Sequence, residues 1–448
     1  MDMTKVLFSN PPWWGPQVAN PTGAFWRLGV RAGSRWPFTC VGRSSPDRFC
    51  WGDYLPYPFF LGYAATYVAR QTGATVHFRD SIALRESYET YFAALQGENY
   101  EYVFIESASP SWQHDRALIA EIHRRLPAAR IVVTGPIATT QSESMLAALP
   151  VHACVRGEYE KGSVRVLQGE SGIVDFDFLT AEEMNAAPFP YFDDLIAHRY
   201  VDPNPQGQVF PHAQVWSSRG CPFKCIFCVW PATMTGNDPD GSKPRAVRHY
   251  TPAYMEAFLA ELVAKYRFRS IYLDDDTFNL GNSHVVGMCG VLKRLGLPWS
   301  AMCRADTIKR ETWGLMRESG CFGVKLGVES GNQDVVDKIV NKHLDLALVR
   351  EIVHELKRIG MTVHGTFTYG LPGETREQMR QTSEFARSLP FDSFQESGTA
   401  EIEGTPLSTL RARGQLERYA GARIDEHYVK EADGNKKWER LLEQLKNG

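Results

Sequence analysis

Arg219-Gly220-Cys221-Pro222-Phe223-Lys224-Cys225-Ile226-Phe227-Cys228 is the stretch that decides how the chain is read. Three of the nine cysteines fall within these residues, at Cys221, Cys225 and Cys228, in C-x3-C-x2-C spacing. Thiolates so close on one loop can converge on an iron–sulfur cube, a common use of close-set cysteines in a reducing compartment. Three ligands leave one iron without a protein ligand, and that iron is a place to bind and activate a substrate. A structural zinc site instead wants four ligands in paired spacing. No second pair follows: Cys289, Cys303 and Cys321 are isolated, and His212 or His249 would have to complete such a site.

Outward from this loop, strands and helices alternate. A strand near Ala213 to Ser218 runs into the loop, and further strands are predicted at Ser270 to Asp274, Trp299 to Cys303, Gly323 to Val328, Thr362 to Tyr369 and Ser393 to Ala400. Helical patterns lie at Pro252 to Tyr266, Ser283 to Leu295, Arg310 to Ser319, Leu346 to Ile359 and Arg376 to Ser388. Together they predict a partial (β/α)6 barrel of the TIM type over residues 209–405, with its site at the carboxyl rim of the strands. Residues 406–448 read as a short helical tail ending in a charged amphipathic helix at Lys436 to Lys446.

Upstream, β-rich runs at Lys5 to Ser9, Thr75 to Asp80, Tyr102 to Ser107, Arg130 to Thr134 and His152 to Arg156 alternate with helical patterns at Phe59 to Gln71, Leu84 to Leu95, Gln113 to Leu126 and Thr140 to Leu149. This predicts an α/β domain over residues 1–168, a doubly wound, Rossmann-like parallel sheet. Ligands of such sheets sit beyond the carboxyl ends of the strands. The turn residues there, Asn10, Pro11, Ser107, Ser109, Gly135, Gly157 and Glu158, are therefore candidate binding residues. The insertion from Asn10 to Tyr57 fits no helix or strand and holds Trp13, Trp14, Trp26, Trp36 and Trp51 with Arg27, Arg31 and Arg35. It reads either as a functional loop or as an aromatic plug between domains. Gly169 to Gln208, rich in Asp, Pro and aromatic residues, reads as a linker.

Composition sets the outer bounds. The 448 residues carry 49 Lys+Arg against 52 Asp+Glu, a formal charge of −3, with 43% hydrophobic and 23% charged residues. That is globular usage, which excludes disorder and coiled coil and favours two or three domains. Acids and bases nearly cancel, against the concentrated positive charge that nucleic acid binding needs. The apolar runs at Val6 to Phe8 and Pro58 to Val68 are too short for a signal peptide or for the ~20 residues that span a bilayer. A soluble, cytoplasmic protein with no membrane partner is expected.

The cysteine triplet and the segments after it resemble, in order, the radical S-adenosylmethionine (SAM) superfamily, in the branch with an N-terminal cobalamin-binding domain. Leu273-Asp274-Asp275-Asp276-Thr277-Phe278 resembles that branch's second-strand segment, Cys303-Arg304-Ala305-Asp306 the third, Gly327-Val328-Glu329-Ser330-Gly331 the fourth, and Gly370-Leu371-Pro372-Gly373-Glu374-Thr375 a later turn. Val6 to Pro12 and Val155 to Glu160 resemble its cobalamin domain, without a D-x-H-x-x-G segment: Asp80 is followed by Ser81-Ile82-Ala83.

The resemblance implies a 4Fe–4S cluster on Cys221, Cys225 and Cys228, SAM on its open iron with Phe227 near the adenine, and Asp275, Asp276, Arg304 and Glu329 among the SAM or substrate contacts. Any one of these acids has an ordinary alternative as a helix cap. The resemblance further implies cobalamin, bound without a histidine ligand. Tyr369 and the Trp13 to Trp51 segment are candidates for shielding the reaction. The implied activity is methylation of an unactivated carbon of a small molecule or peptide, by a 5′-deoxyadenosyl radical and methylcobalamin, with a flavodoxin- or ferredoxin-type electron donor. Cyclisation or rearrangement by the same architecture, an RNA methylthiotransferase and a zinc-stabilised binding module are the other readings.

Overall fold

The computed structural model describes residues 4–17, 25–31, 38–42, 54–416 and 427–431. In the first half the strands are β1 (Lys5–Asn10), β2 (Trp14–Gln17), β3 (Phe25–Gly29), β4 (Phe38–Gly42), β5 (Thr75–Asp80), β6 (Tyr102–Glu106), β7 (Arg130–Thr134), β8 (Ala153–Val155) and β9 (Gly172–Val174). β1 and β5 to β9 form one parallel sheet in the order β5-β1-β6-β7-β8-β9. The order reverses about β1, which puts the carboxyl ends of β1 and β6 beside the crevice that doubly wound sheets use for ligands. Both faces of the sheet are covered: Val6 and Phe8 pack with Phe60 and Leu61 of the helix Phe59–Thr72, and Leu7 packs with Ile119 and Ile122 of the helix Trp112–Arg125.

In the second half are β10 (His212–Val215), β11 (Ser218–Arg219), β12 (Arg248–His249), β13 (Ser270–Leu273), β14 (Trp299–Cys303), β15 (Cys321–Glu329), β16 (Thr362–Tyr369), β17 (Ser393–Gly398) and β18 (His427–Glu431). β10, β13, β14, β15, β16 and β17 pair in parallel in that order, the six strands of the partial barrel, and β18 adds to β17 antiparallel. Local chemistry fixes the helices between them. Thr251 caps the helix Pro252–Tyr266, with proline in its first turn, and Thr375 and Gln378 form a capping box on Arg376–Ser388. Among the described residues no helix is long and apolar enough to cross a membrane.

The structure departs from the sequence expectation in four places. The insertion after Asn10 is not without regular structure: β2, β3 and β4 pair into a three-stranded antiparallel sheet. Its strands are short and carry Gly15, Pro16, Gly29 and Gly42, residues that read as turn rather than strand in sequence. Arg35, Trp36 and Trp51 lie outside the described residues. The segment expected as a linker contributes β9 to the first sheet and the helix Ala181–Ala186, and Leu55 bridges to Val201. The expected helix Leu84 to Leu95 is broken by Arg85 at φ 56 and restarts at Tyr88, capped by Ser87. The tail is not wholly helical, since it supplies β18 after the helix Pro406–Ala412; the helix expected at Lys436 to Lys446 lies outside the described residues.

One buried charge knot joins the two halves. Arg219, at the end of β11 and two residues before Cys221, has a fully buried side chain, with Nη1 2.7 Å from Glu160 and 3.4 Å from Glu158. Its guanidinium lies 4.5 Å from the ring centre of Tyr63 and 5.9 Å from that of Trp216. Arg248 also pairs with Glu158. Burying such charges is costly, and removing one partner leaves the others unpaired. Arg219→Leu is expected to cost about 3–5 kcal/mol, read as a lower urea midpoint at unchanged slope.

Candidate active site between the two sheets

The cysteine loop leaves β11 through Gly220, whose φ of 95° and whose position, where a Cβ would lie 2.3 Å from the Ala246 carbonyl oxygen, admit only glycine. The loop is pinned by Ile226 N donating to Val340 O at 3.0 Å and by Arg245 Nη1 donating to Phe223 O at 2.7 Å. Cys221, Cys225 and Cys228 line a single cavity at the carboxyl rim of the barrel. Burial pushes their thiols up, that of Cys221 to about 11, so none is an easy free thiolate, and a bound cation would supply the compensating charge. Among the described residues no three His, Cys, Asp or Glu gather closely enough to hold a single metal ion. A four-iron cube bonds each cysteine to a different iron, so three thiols spread over the wall of one cavity suit it. The triplet fits a cluster.

The same cavity is lined by groups of both signs, which suits the ammonium, carboxylate and hydroxyls of SAM. Arg304 is held by both oxygens of Asp306 at 2.6 and 2.9 Å and by Lys342 O at 2.7 Å, and lies 3.6 Å over the Phe223 ring. Glu329 ends β15 at a register shift, with φ 74°, in the left-handed region that residues other than glycine seldom enter. Its oxygens accept from Lys342 Nζ at 3.0 Å and Thr368 Oγ1 at 3.0 Å. Asp276 accepts from Gly220 N at 3.2 Å, and Phe227 lines the cavity beside the cysteines.

A second cavity adjoins the first, with Cys228 and Asp276 in the walls of both. It lies between the sheets: Asn10, Arg31 and Glu106 line it from the first half, Asp274 and Asp275 from the end of β13, and Phe59, Phe60, Trp216 and Trp230 form its aromatic wall. Asn10 is fixed by donating to Asp80 at 2.9 Å and accepting from Arg31 at 3.0 Å, and Arg31 is neutralised by Asp115 at 2.6 Å. Burial raises the carboxyls of Asp80 to about 6, Glu106 to about 7 and Asp275 to about 7. An amide, a guanidinium and a proton-holding carboxyl at the open ends of β1 and β6 suit the amide-bearing rim of a corrin. The residues present fit cobalamin there.

Of the candidate residues at the first sheet's strand ends, only Asn10 reaches this cavity. Pro11 offers its carbonyl to Arg31 at 2.5 Å, and Ser107 donates to Asp115 at 2.6 Å. Ser109 meets the Glu403 carbonyl at 3.5 Å, under the segment that follows β17. Gly135 serves the backbone: at φ 98°, a Cβ there would lie 2.2 Å from Ser107 O. Gly157 is covered by Phe176 and Phe178, and Glu158 is spent on Arg219 and Arg248. Tyr369 is not among the lining residues of either cavity, and its hydroxyl donates to Glu396 Oε1 at 2.8 Å. Trp13 and Trp14 do not form the walls either: Trp13 is in the core and Trp14 Nε1 donates to Glu86 O at 3.0 Å. Of the Trp13 to Trp51 segment Val30 and Arg31 line the interdomain cavity, and its aromatic wall comes from the residues at Tyr54 to Phe60 and from Trp216 and Trp230, the last two passed over in sequence although Trp216 stands directly before Ser217-Ser218-Arg219-Gly220-Cys221. Lys342 was also missed, for it follows no motif.

Residues 217–386 match the model of the Radical SAM superfamily, and within that stretch the three thiols stand on the carboxyl rim of the partial β/α barrel. With the parallel sheet before it, the chain has the fold of the cobalamin-dependent radical SAM enzymes. It is similar in fold to the radical SAM methyltransferase TsrM of Kitasatospora setae with cobalamin and 4Fe–4S cluster bound (TM-score 0.64, 16% identity, 92% of this chain and 75% of that one). In sequence it is 27% identical to an uncharacterised methyltransferase of Pyrococcus horikoshii, over 78% of this chain and 77% of that one. It is also 27% identical to the cytidylyl-2-hydroxyethylphosphonate methyltransferase of Streptomyces wedmorensis, over 51% of this chain and 43% of that one.

Glu106 gives the cavity a pH signature. Its carboxyl is raised from 4.5 to about 7, so between those values the unfolded chain has released a proton that the folded chain still holds. Stability conferred by the proton therefore falls as pH rises through that window, by up to about 1.4 kcal/mol per pH unit. Glu106→Gln is expected to flatten this part of the stability curve, measured as urea midpoints on either side of the window.

Proposed function

We propose that the chain is a cobalamin-dependent radical SAM methyltransferase that methylates an unactivated carbon of a small molecule or peptide. The observation that carries this reading is the wall shared by the two cavities. Cys228 and Asp276 face both the pocket of the cysteine triplet and the pocket at the ends of β1 and β6, so a substrate between the sheets lies within reach of both. When bound, the cluster and SAM supply a 5′-deoxyadenosyl radical to abstract hydrogen, and methylcobalamin supplies the methyl group.

The chain's own part is to orient and to shield. Arg304, Lys342 and Glu329 offer fixed charges for the carboxylate and ammonium of SAM, each already braced by a neighbour so that little is reorganised on binding. Trp216 stacks on Phe59 at 4.2 Å between ring centres, and Trp230 on Phe60 at 5.7 Å. These rings give the substrate space an aromatic wall, which suits a reaction that must be kept from water.

The test is anaerobic incubation of reconstituted protein with SAM, reductant and cobalamin. Formation of 5′-deoxyadenosine, with both cluster and cobalamin bands in the visible spectrum, is the expected result, and Cys225→Ala is expected to lose the cluster bands and the product together. Undiminished product from that variant, or none from fully loaded wild type, overturns the reading. Methyl-labelled SAM separates methyl transfer from rearrangement once a substrate is found.

A further inference from the structure

Asp275 is a firmly braced carboxylate in the wall of the interdomain cavity, held through one of its two oxygens. Oδ1 accepts from Ser217 N at 3.0 Å, Ser217 Oγ at 3.0 Å and Ser218 Oγ at 2.5 Å. Oδ2 is buried and has no hydrogen-bond partner. A hydroxyl carries a single hydrogen, and Ser217 Oγ also lies 3.0 Å from His284 Nε2. If His284 donates from Nε2, Ser217 is left to aim its hydrogen at Asp275. His284 is stacked on His249, with ring centres 4.2 Å apart, and burial and that neighbour lower its pKa to about 3, so it stays neutral and fit for that role. Ser217 and Ser218 thus lock one oxygen, and His284 sets the direction of the lock.

An unpaired carboxylate oxygen buried in a cavity wall is costly unless it holds a proton or receives one from a ligand. We infer that Asp275 is the proton acceptor of this cavity, taking a hydrogen bond or the proton itself from an O–H or N–H of the bound substrate on Oδ2, with Ser217, Ser218 and His284 as its positioning residues. This narrows the substrate of the proposed reaction to molecules that present such a group, and rests on the interdomain cavity being the substrate's place. When the proton moves, the X–H bond breaks, its electron pair stays on X, and an O–H bond forms at Oδ2; no oxidant or reductant is consumed. The charged groups facing the site agree. Asp274 and Asp276 flank Asp275, Glu106 stands across the cavity, and Arg31 is the cation in the lining, already paired with Asp115. The Asp275 carboxyl, raised to about 7 by burial, is poised to exchange a proton near neutrality.

Infrared difference spectroscopy of the reconstituted holoprotein across pH 7 tests this, with phenol as the O–H probe and toluene as its donor-free counterpart. Among the carboxylic acid bands that titrate near neutrality, one is expected to be lost in Asp275→Asn and a different one in Glu106→Gln, with that of Asp80 retained in both. Phenol is expected to shift the Asp275 band and toluene to leave it in place, while His284→Phe moves its titration to higher pH without removing it. A spectrum of Asp275→Asn that superimposes on wild type, or equal responses to phenol and toluene, overturns the inference. No turnover is involved, so this failure is distinct from a failure of the proposed methyl transfer.

Discussion

The charge of Arg219 is held inside the protein, and much else depends on where it is held. A guanidinium stripped of water is tolerable only if carboxylates come to it, and here Glu158 and Glu160 come from the other sheet. Because Arg219 stands immediately before the cysteine loop, the demand for charge balance fixes the first sheet against the very segment that carries the thiols. Of the aromatic rings around it, Phe60 and Trp216 also stand in the wall of the substrate space. Electrostatics at the interface and the shape of the cavity are therefore one arrangement.

This also explains why strand ends that resemble ligand sites do other work. The carboxyl edge of the first sheet is about half covered: Ser109 and Gln141 are engaged by Glu403, and Glu158 by the two arginines. What remains open, at β1 and β6, is the part with Asn10, Arg31 and Glu106. The edge is partitioned between holding the domains together and facing a ligand.

The barrel was legible because each of its strands is a short β-rich run between amphipathic helices, and β14 and β16 keep the bounds predicted for them. The cysteines were legible because their spacing is local. Less could be read where a residue's role is set by a partner far along the chain. Nothing near Glu158 says that its counter-ion lies at position 219, and Tyr369 sits in a motif yet spends its hydroxyl on Glu396. The insertion failed for a different reason, since its strands are short and carry Gly15, Pro16, Gly29 and Gly42, which read as turn rather than strand. Asp275 was singled out by its motif, but the empty hydrogen-bonding site on Oδ2 belongs to three dimensions.

β18 has a bearing on solution behaviour. It runs antiparallel along the outer side of β17, occupying backbone groups from Ser393 to Ser397. An open barrel ends in strands whose unpaired N–H and C=O groups will accept any extended segment that arrives, including one from another copy. By supplying its own last strand from the tail, the chain guards that edge intramolecularly, so trimming the protein before His427 exchanges a self-contained sheet for an adhesive one.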